Sequence, residues 1–128
     1  MKTAIITLLS LSLFSMTVFS QSTVNTQKEA SATIADLQSR WAIANYELKD
    51  EKQLKAFQQL VADAETATSA QTKEAGIWVW SGIIKSTFAG VKGGLGALKY
   101  AKAAKVDLDQ AINIDGDVLQ GSAYTSGP

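Results

Sequence analysis

The spacing of apolar residues predicts two amphipathic helices in the first half of the chain. Apolar side chains recur there every three or four residues, a period that places them on one face of a helix. The first stripe comprises Ile34, Leu37, Trp41, Ala44 and Leu48, and the second comprises Leu54, Phe57, Val61 and Ala64. Thr26 and Glu29 have the spacing of a capping box and predict the first helix start, as Asp50 and Gln53 do for the second. Because only a short turn around Lys49 separates them, we expect an antiparallel hairpin over residues 27–69.

A second helical hairpin is predicted over residues 72–115, with Thr72 as the cap of the third helix. Residues 74–84, EAGIWVWSGII, would also suit a buried strand. We favour a helix because no partner strand is apparent in the sequence, and a lone strand leaves its backbone groups unpaired. On the fourth helix, small side chains share one predicted face with a leucine and allow a neighbouring helix to approach closely. They are Ala97, Ala101, Ala104, Leu108 and Ala111.

Residues 89–99, AGVKGGLGALK, lie between these last two helices and are rich in glycine. We expect them to form a compact inserted loop folded over the helix ends, since glycine permits tight turns and close backbone approach. They do not fit a phosphate-binding P-loop, because none of the glycines has another glycine five positions later. A dinucleotide-binding fingerprint would need a third glycine where Lys99 stands.

The first twenty residues follow the pattern of a secretory signal peptide. Lys2 supplies a positive charge, residues 4–19 form a short apolar run interrupted by Ser and Thr, and small Ser20 follows. The run is too polar for a typical membrane anchor. We therefore expect cleavage between Ser20 and Gln21, a mature chain of residues 21–128 in the periplasm or outside the cell, and no stable membrane insertion after processing.

Composition removes several classes of function from consideration. Twelve basic residues balance twelve acidic ones, so there is no charge surplus for a nucleic-acid partner. The chain has no cysteine and no histidine, which excludes disulfides, thiolate nucleophiles and histidine-based catalytic triads. An EF-hand aligned on Gly116 would place Ala111 and Ser122 at its end positions, where calcium needs oxygen ligands that include a carboxylate. We expect neither enzymatic activity nor a cofactor or metal site.

A repeat signature appears in the second hairpin. Trp78 and Gly82 have the spacing of the first helix of a tetratricopeptide repeat, and Ala104, Leu108 and Ala111 fit its second helix. With these residues, the stretch 77–126 resembles a family of exported bacterial tetratricopeptide-like proteins. The resemblance implies a helical-repeat scaffold without a settled activity, and better-understood relatives in the same broad group resemble partners of periplasmic solute-binding proteins. It also implies a further repeat, so residues 119–128 are expected to begin another helix.

These observations favour a scaffold that binds another protein through its concave face and the inserted loop. The expected contact residues are Trp78, Lys85, Phe88, Lys92 and Tyr100. One alternative is a small membrane-active protein that uses the Trp-rich third helix and the Lys-bearing loop. Another is a carrier of a small apolar ligand held between helices. Self-association is also expected if the face of the fourth helix with Tyr100, Val106 and Ile112 has no neighbour.

Overall fold

The computed structural model describes residues 11–120 of the chain, with side chains described from residue 24 onward. Within that range the protein is all-helical, which confirms the prediction of an all-α fold. The helices are α1 (Leu11–Tyr46), α2 (Asp50–Ala70), α3 (Ala75–Lys92) and α4 (Gly94–Ile114), and a further helical turn begins at Val118. Residues 1–10 of the expected signal peptide and residues 121–128 of the expected last helix lie outside the described residues.

The core lies between α1, α2 and α3. Most of the predicted stripe positions are buried in it, including Leu37, Ala44, Phe57, Val61 and Ala64. Ile84 and Phe88 enter the same core from α3, which confirms the helical interpretation of that segment over the strand. At the level of the backbone α3 is adjacent to each of the other three helices. Among these four helices, α4 is adjacent to α3 alone and therefore lies at the edge of the bundle.

The helices α3 and α4 approach each other closely at Gly82. A Cβ atom added there would lie 2.7 Å from Leu108 Cγ and 3.3 Å from the carbonyl oxygen of Ala104. Ala104 and Ala111 are buried, as their spacing predicted, but Ala101 is exposed and its assignment to the packed face was wrong. The buried face of α4 is rotated toward Asp107, a carboxylate that an apolar pattern does not include.

The first helix does not begin at the predicted capping box. Helical backbone starts at Leu11, so Thr26 and Glu29 lie in the interior of α1. No glycine or proline occurs between Leu11 and Thr26 to interrupt the helix, and a capping sequence acts as a start only where the preceding residues leave the helix.

The two other predicted caps are also displaced. Lys49 is the N-cap of α2, and Asp50, with φ of 56°, is its first residue. Gln53 does not complete a capping box; its Nε2 donates to the carbonyl oxygen of Ala44 at 3.0 Å and so joins the start of α2 to the end of α1. The third helix begins at Ala75 rather than beside Thr72.

The predicted glycine-rich loop was wrong. The helix α3 continues through Lys92 and α4 starts at Gly94, so Gly93 is the only residue between them. Gly93 and Gly94 have φ values of 65° and 63°, in the left-handed region that glycine enters at little cost. These two residues reverse the chain, and the rest of residues 89–99 is helical because alanine, leucine and lysine favour helix.

Candidate docking surface

A buried ion pair fixes α4 on the bundle. Lys85 Nζ on α3 lies 2.8 Å from Asp107 Oδ2 on α4, and the two residues are only 7% and 5% exposed. The hydroxyl of Ser81 donates to the same carboxylate oxygen at 2.6 Å. Glu65 on α2 approaches Lys85 Nζ at 3.6 Å from the solvent side. A charge or hydroxyl that is buried without a partner is costly. These contacts therefore set the rotation of α4 about its axis and determine which of its residues face outward.

This cluster combines a serine, a carboxylate and a lysine, which are residue types used in nucleophilic catalysis. Ser81 has no exposed surface and donates to Asp107, so its hydroxyl offers no access to a substrate in this arrangement. We therefore assign the cluster a structural role.

At the C-terminal end of α4, Asp115 Oδ1 accepts a hydrogen bond from the backbone N–H of Asp117 at 3.0 Å, which stabilises the turn that follows the helix. No group of three acidic side chains that could hold a metal ion occurs within the described range.

Two of the five predicted contact residues belong to the core. Phe88 is 2% exposed and Lys85 is the buried ion-pair partner of Asp107, so neither has surface to offer a partner in this structure. Tyr100 is half-buried and meets Phe88 in an edge-to-face pair whose ring centroids are 4.6 Å apart. Such pairs stabilise the contact beyond simple area burial. Phe88 and Tyr100 therefore pack α3 against α4.

The other two predicted contact residues lie apart from each other along α3. Lys92 is exposed at the C-terminal end of the helix, with its Nζ 6.0 Å from the ring centroid of Phe88. Trp78 is half-buried in the first turn, and its Nε1 donates to the carbonyl oxygen of Thr72 at 2.9 Å. Since Trp78 and Lys92 are fourteen residues apart on one helix, about 21 Å along its axis, the five residues do not form a single surface.

The remaining tryptophans pack α1 against α3. Trp41 and Trp80 meet edge to face with ring centroids 5.8 Å apart, and Trp41 Nε1 donates to Thr87 Oγ1 at 2.9 Å. Both rings are half-buried and pack against the core. An insertion of α3 into a membrane would have to break these contacts, so the structure does not favour α3 as a membrane-inserting element.

Four large apolar side chains are exposed on the outer side of α4. Leu95 is 99% exposed, Leu98 60%, Val106 65% and Ile112 42%. They are exposed because α3 is the only helix adjacent to α4 among the described helices. The sequence predicted an uncovered face with Tyr100, Val106 and Ile112. Val106 and Ile112 are exposed, but Tyr100 packs against Phe88. Leu95 and Leu98 were missed because residues 89–99 were predicted to form a loop.

We divide this outer side into two patches according to charge. The N-terminal patch consists of Leu95, Leu98, Lys99 and Lys102 of α4 together with Lys92 at the end of α3, and lysine is its only charged residue type. The C-terminal patch consists of Val106, Asp109 and Ile112. Asp109 Oδ2 accepts a hydrogen bond from Lys105 at 2.8 Å, on an exposed part of the helix. The two patches therefore differ in the partners that they can attract.

A shallow apolar depression of about 250 Å³ lies between α1 and α2, where Ile43, Leu48, Ala56 and Leu60 contribute to its lining. Its volume is below the usual range of sites for small molecules. This depression by itself is therefore too small for a typical small-molecule site.

Within residues 11–120, no helix has both the length and the apolar character needed to cross a bilayer. The chain matches no protein-family model, no curated protein and no solved structure.

Proposed function

We propose that this protein is an exported, non-catalytic helical scaffold of tetratricopeptide-like type that binds another protein. The contact of Gly82 with Ala104 and Leu108 supports the repeat assignment, because these are the positions at which the two helices of such a repeat approach each other. The stacking of α1 against α3 and of α3 against α4 is also what a repeat array requires. Export is supported by the signal-peptide pattern of residues 1–20.

The C-terminal patch on α4 is the docking surface in this proposal. In a helical array each helix buries its apolar face against the next element, and a helix at the edge leaves that face open. Val106 and Ile112 are such open positions, and their exposure is the single observation that carries the proposal. The buried pair of Lys85 and Asp107 keeps the patch directed outward without a partner. This surface replaces the predicted inserted loop, which does not exist.

The proposal is tested by capture from an extract of exported proteins with wild-type chain and two variants. Val106→Gln with Ile112→Gln should reduce retention of a specific partner by about tenfold or more, because two apolar contacts are lost. Val24→Gln is the matched control, since Val24 is 58% exposed, close to the 65% of Val106, but lies on α1. Far-ultraviolet circular dichroism should be the same for all three proteins.

Equal capture by wild type and by the Val106 and Ile112 variant would contradict this assignment of the surface. Light scattering at several protein concentrations measures the oligomeric state as a second part of the test, because a second copy of the chain could also occupy the patch. If the double variant abolishes a concentration-dependent dimer and changes no other interaction, then the patch serves self-association instead.

A further inference from the structure

The region around the α3–α4 junction has an uneven charge distribution. Residues 75–106 contain five lysines and no acidic residue. Lys85 is neutralised by buried Asp107, and Lys105 pairs with Asp109. The other three lysines, Lys92, Lys99 and Lys102, form no ion pair with any residue that the structure describes. A chain whose formal net charge is zero therefore has a local positive surface here.

The apolar part of the N-terminal patch lies on the same face as two of these lysines. Leu95, Leu98, Lys99 and Lys102 occupy positions i, i+3, i+4 and i+7 of α4, which lie one above another on a helix. Lys92 joins them from α3: a Cβ added at Gly96 would lie 2.5 Å from Lys92 Cε, so the lysine stem packs against the first turns of α4. Two projecting leucines are thus accompanied by three ammonium groups.

The aromatic pair below the patch holds it in place. Lys92 Nζ lies 6.0 Å from the ring centroid of Phe88, and Lys99 Nζ lies 5.7 Å from that of Tyr100. Phe88 is buried, and Tyr100 packs against the core. The lysines therefore extend from a well-packed end of the bundle, and the patch is formed before any ligand arrives.

We propose that the N-terminal patch binds a bilayer surface that carries anionic phospholipids. Leu95 and Leu98 enter the interfacial region, while the ammonium groups of the three lysines lie near the headgroup phosphates. Leu95 is 99% exposed, so it projects from the surface, and a fluid interface can surround a projecting side chain without a preformed pocket. Apolar contact and positive charge act together, which is the combination that stable peripheral binding requires.

This inference is independent of the proposed protein-binding function. Leu98 and Val106, the nearest apolar residues of the two patches, are eight residues apart on α4, about 12 Å along the helix axis, so the apolar residues of each patch can be altered separately, although Lys102 lies only one turn from Val106. It also differs from insertion of α3, because only the start of α4 and the end of α3 touch the membrane.

The test is co-sedimentation of the full chain with large vesicles of phosphatidylcholine, with and without about one third phosphatidylglycerol. Each lysine near an anionic surface contributes about fivefold to binding, so Lys92→Gln, Lys99→Gln and Lys102→Gln together should weaken it by about 100-fold. The matched control replaces three other exposed lysines, Lys52, Lys55 and Lys73, and removes the same charge. All these proteins share the same N-terminal segment, so its own lipid affinity cancels in the comparison.

A second variant tests the apolar contribution. Leu95→Gln with Leu98→Gln should also weaken binding to the anionic vesicles, whereas Val24→Gln should leave it unchanged. Binding of the wild type should decrease as salt is added, because ions screen the attraction between lysine and phosphate. Circular dichroism checks that each variant keeps its helices.

Three results would overturn the inference. They are absence of binding to anionic vesicles, equal binding to vesicles of phosphatidylcholine alone, and equal weakening by the two lysine triples. Loss of a captured protein in the leucine variant, with no vesicle binding by the wild type, would reassign the patch to a protein partner. The Val106 and Ile112 variant should bind vesicles normally, so a failure of the proposed protein-binding function is distinguishable from a failure of this inference.

Discussion

Two lysine–aspartate ion pairs with the same N–O distance allow the effect of burial to be measured at two aspartates of one helix, α4. The Lys85–Asp107 and Lys105–Asp109 pairs both have N–O distances of 2.8 Å. The side chains of the first pair are 8% and 7% exposed, and those of the second are 77% and 55% exposed. If burial determines how much an ion pair stabilises the fold, then Asp107→Ala and Asp109→Ala should change the free energy of unfolding by very different amounts, although both remove an aspartate from α4.

Asp107→Ala should lower the free energy of unfolding by about 3–5 kcal/mol, because it leaves the Lys85 charge buried without its main partner. It also leaves the fully buried hydroxyl of Ser81 without the acceptor that it uses in the native protein. Glu65 lies 3.6 Å from Lys85 Nζ and is largely exposed, so it compensates only in part. Asp109→Ala should not measurably change the free energy of unfolding, because Lys105 is exposed and water solvates its ammonium group when the aspartate is removed.

Urea denaturation followed by tryptophan fluorescence measures the difference. With a dependence of about 2 kcal/mol per molar urea, the Asp107→Ala midpoint should fall by about 2 M. A milder variant, Asp107→Asn, retains an acceptor for Ser81 and keeps the experiment informative if the alanine variant does not fold. The triple replacement Lys85→Met, Asp107→Leu and Ser81→Ala should recover wild-type stability to within about 1 kcal/mol. Equal midpoints for Asp107→Ala and Asp109→Ala would refute the reasoning.

Three further predictions concern packing, acid and export. In the same urea assay, Gly82→Ala should destabilise the protein by about 1–3 kcal/mol, because the added methyl group overpacks the α3–α4 contact. Gly90→Ala should stabilise it by about 0.5–1 kcal/mol, because a Cβ added there meets nothing within 4 Å and alanine favours helix more than glycine does. The hydrogen bond from Arg40 holds the pKa of Asp63 below its ordinary value, so this carboxylate stabilises the fold at neutral pH and the stabilisation is lost as pH falls below about 4. Between pH 5 and 3 Asp63→Asn should therefore lose less stability than wild type, and an equal loss would contradict the assignment. Intact-mass measurement of protein expressed with its leader should give residues 21–128, and a full-length mass in washed membranes would contradict cleavage.

The helical fold was predictable because it depends mainly on a periodic pattern of apolar residues. Leu37, Ala44, Phe57 and Val61 follow that period and are buried. The pairing of α3 with α4 could also be inferred, since Gly82 and the small residues of α4 permit close approach. Both features depend on the spacing of residues along one face of a helix, and this spacing can be read directly from the sequence.

The outer side of α4 was less predictable because it depends on contacts between distant residues. The sequence does not show that Asp107 turns inward to meet Lys85, and this contact determines the rotation of the helix. Glycine density in residues 89–99 suggested a loop, but only Gly93 and Gly94 adopt positive φ. Leu95 and Leu98, which follow these glycines, are therefore exposed positions of α4, and only the three-dimensional arrangement shows this.

Site-specific photo-crosslinking from α4 tests the central claim, protein binding through the C-terminal patch, most directly. A photoreactive amino acid is placed at position 106 in one protein and at position 24 in a second, two exposed valine sites on different helices. After irradiation of cells that export the chain, the account predicts a discrete adduct with a different protein from position 106 and none from position 24. Adducts at position 106 that contain only this chain, or the same adducts from both positions, would contradict it.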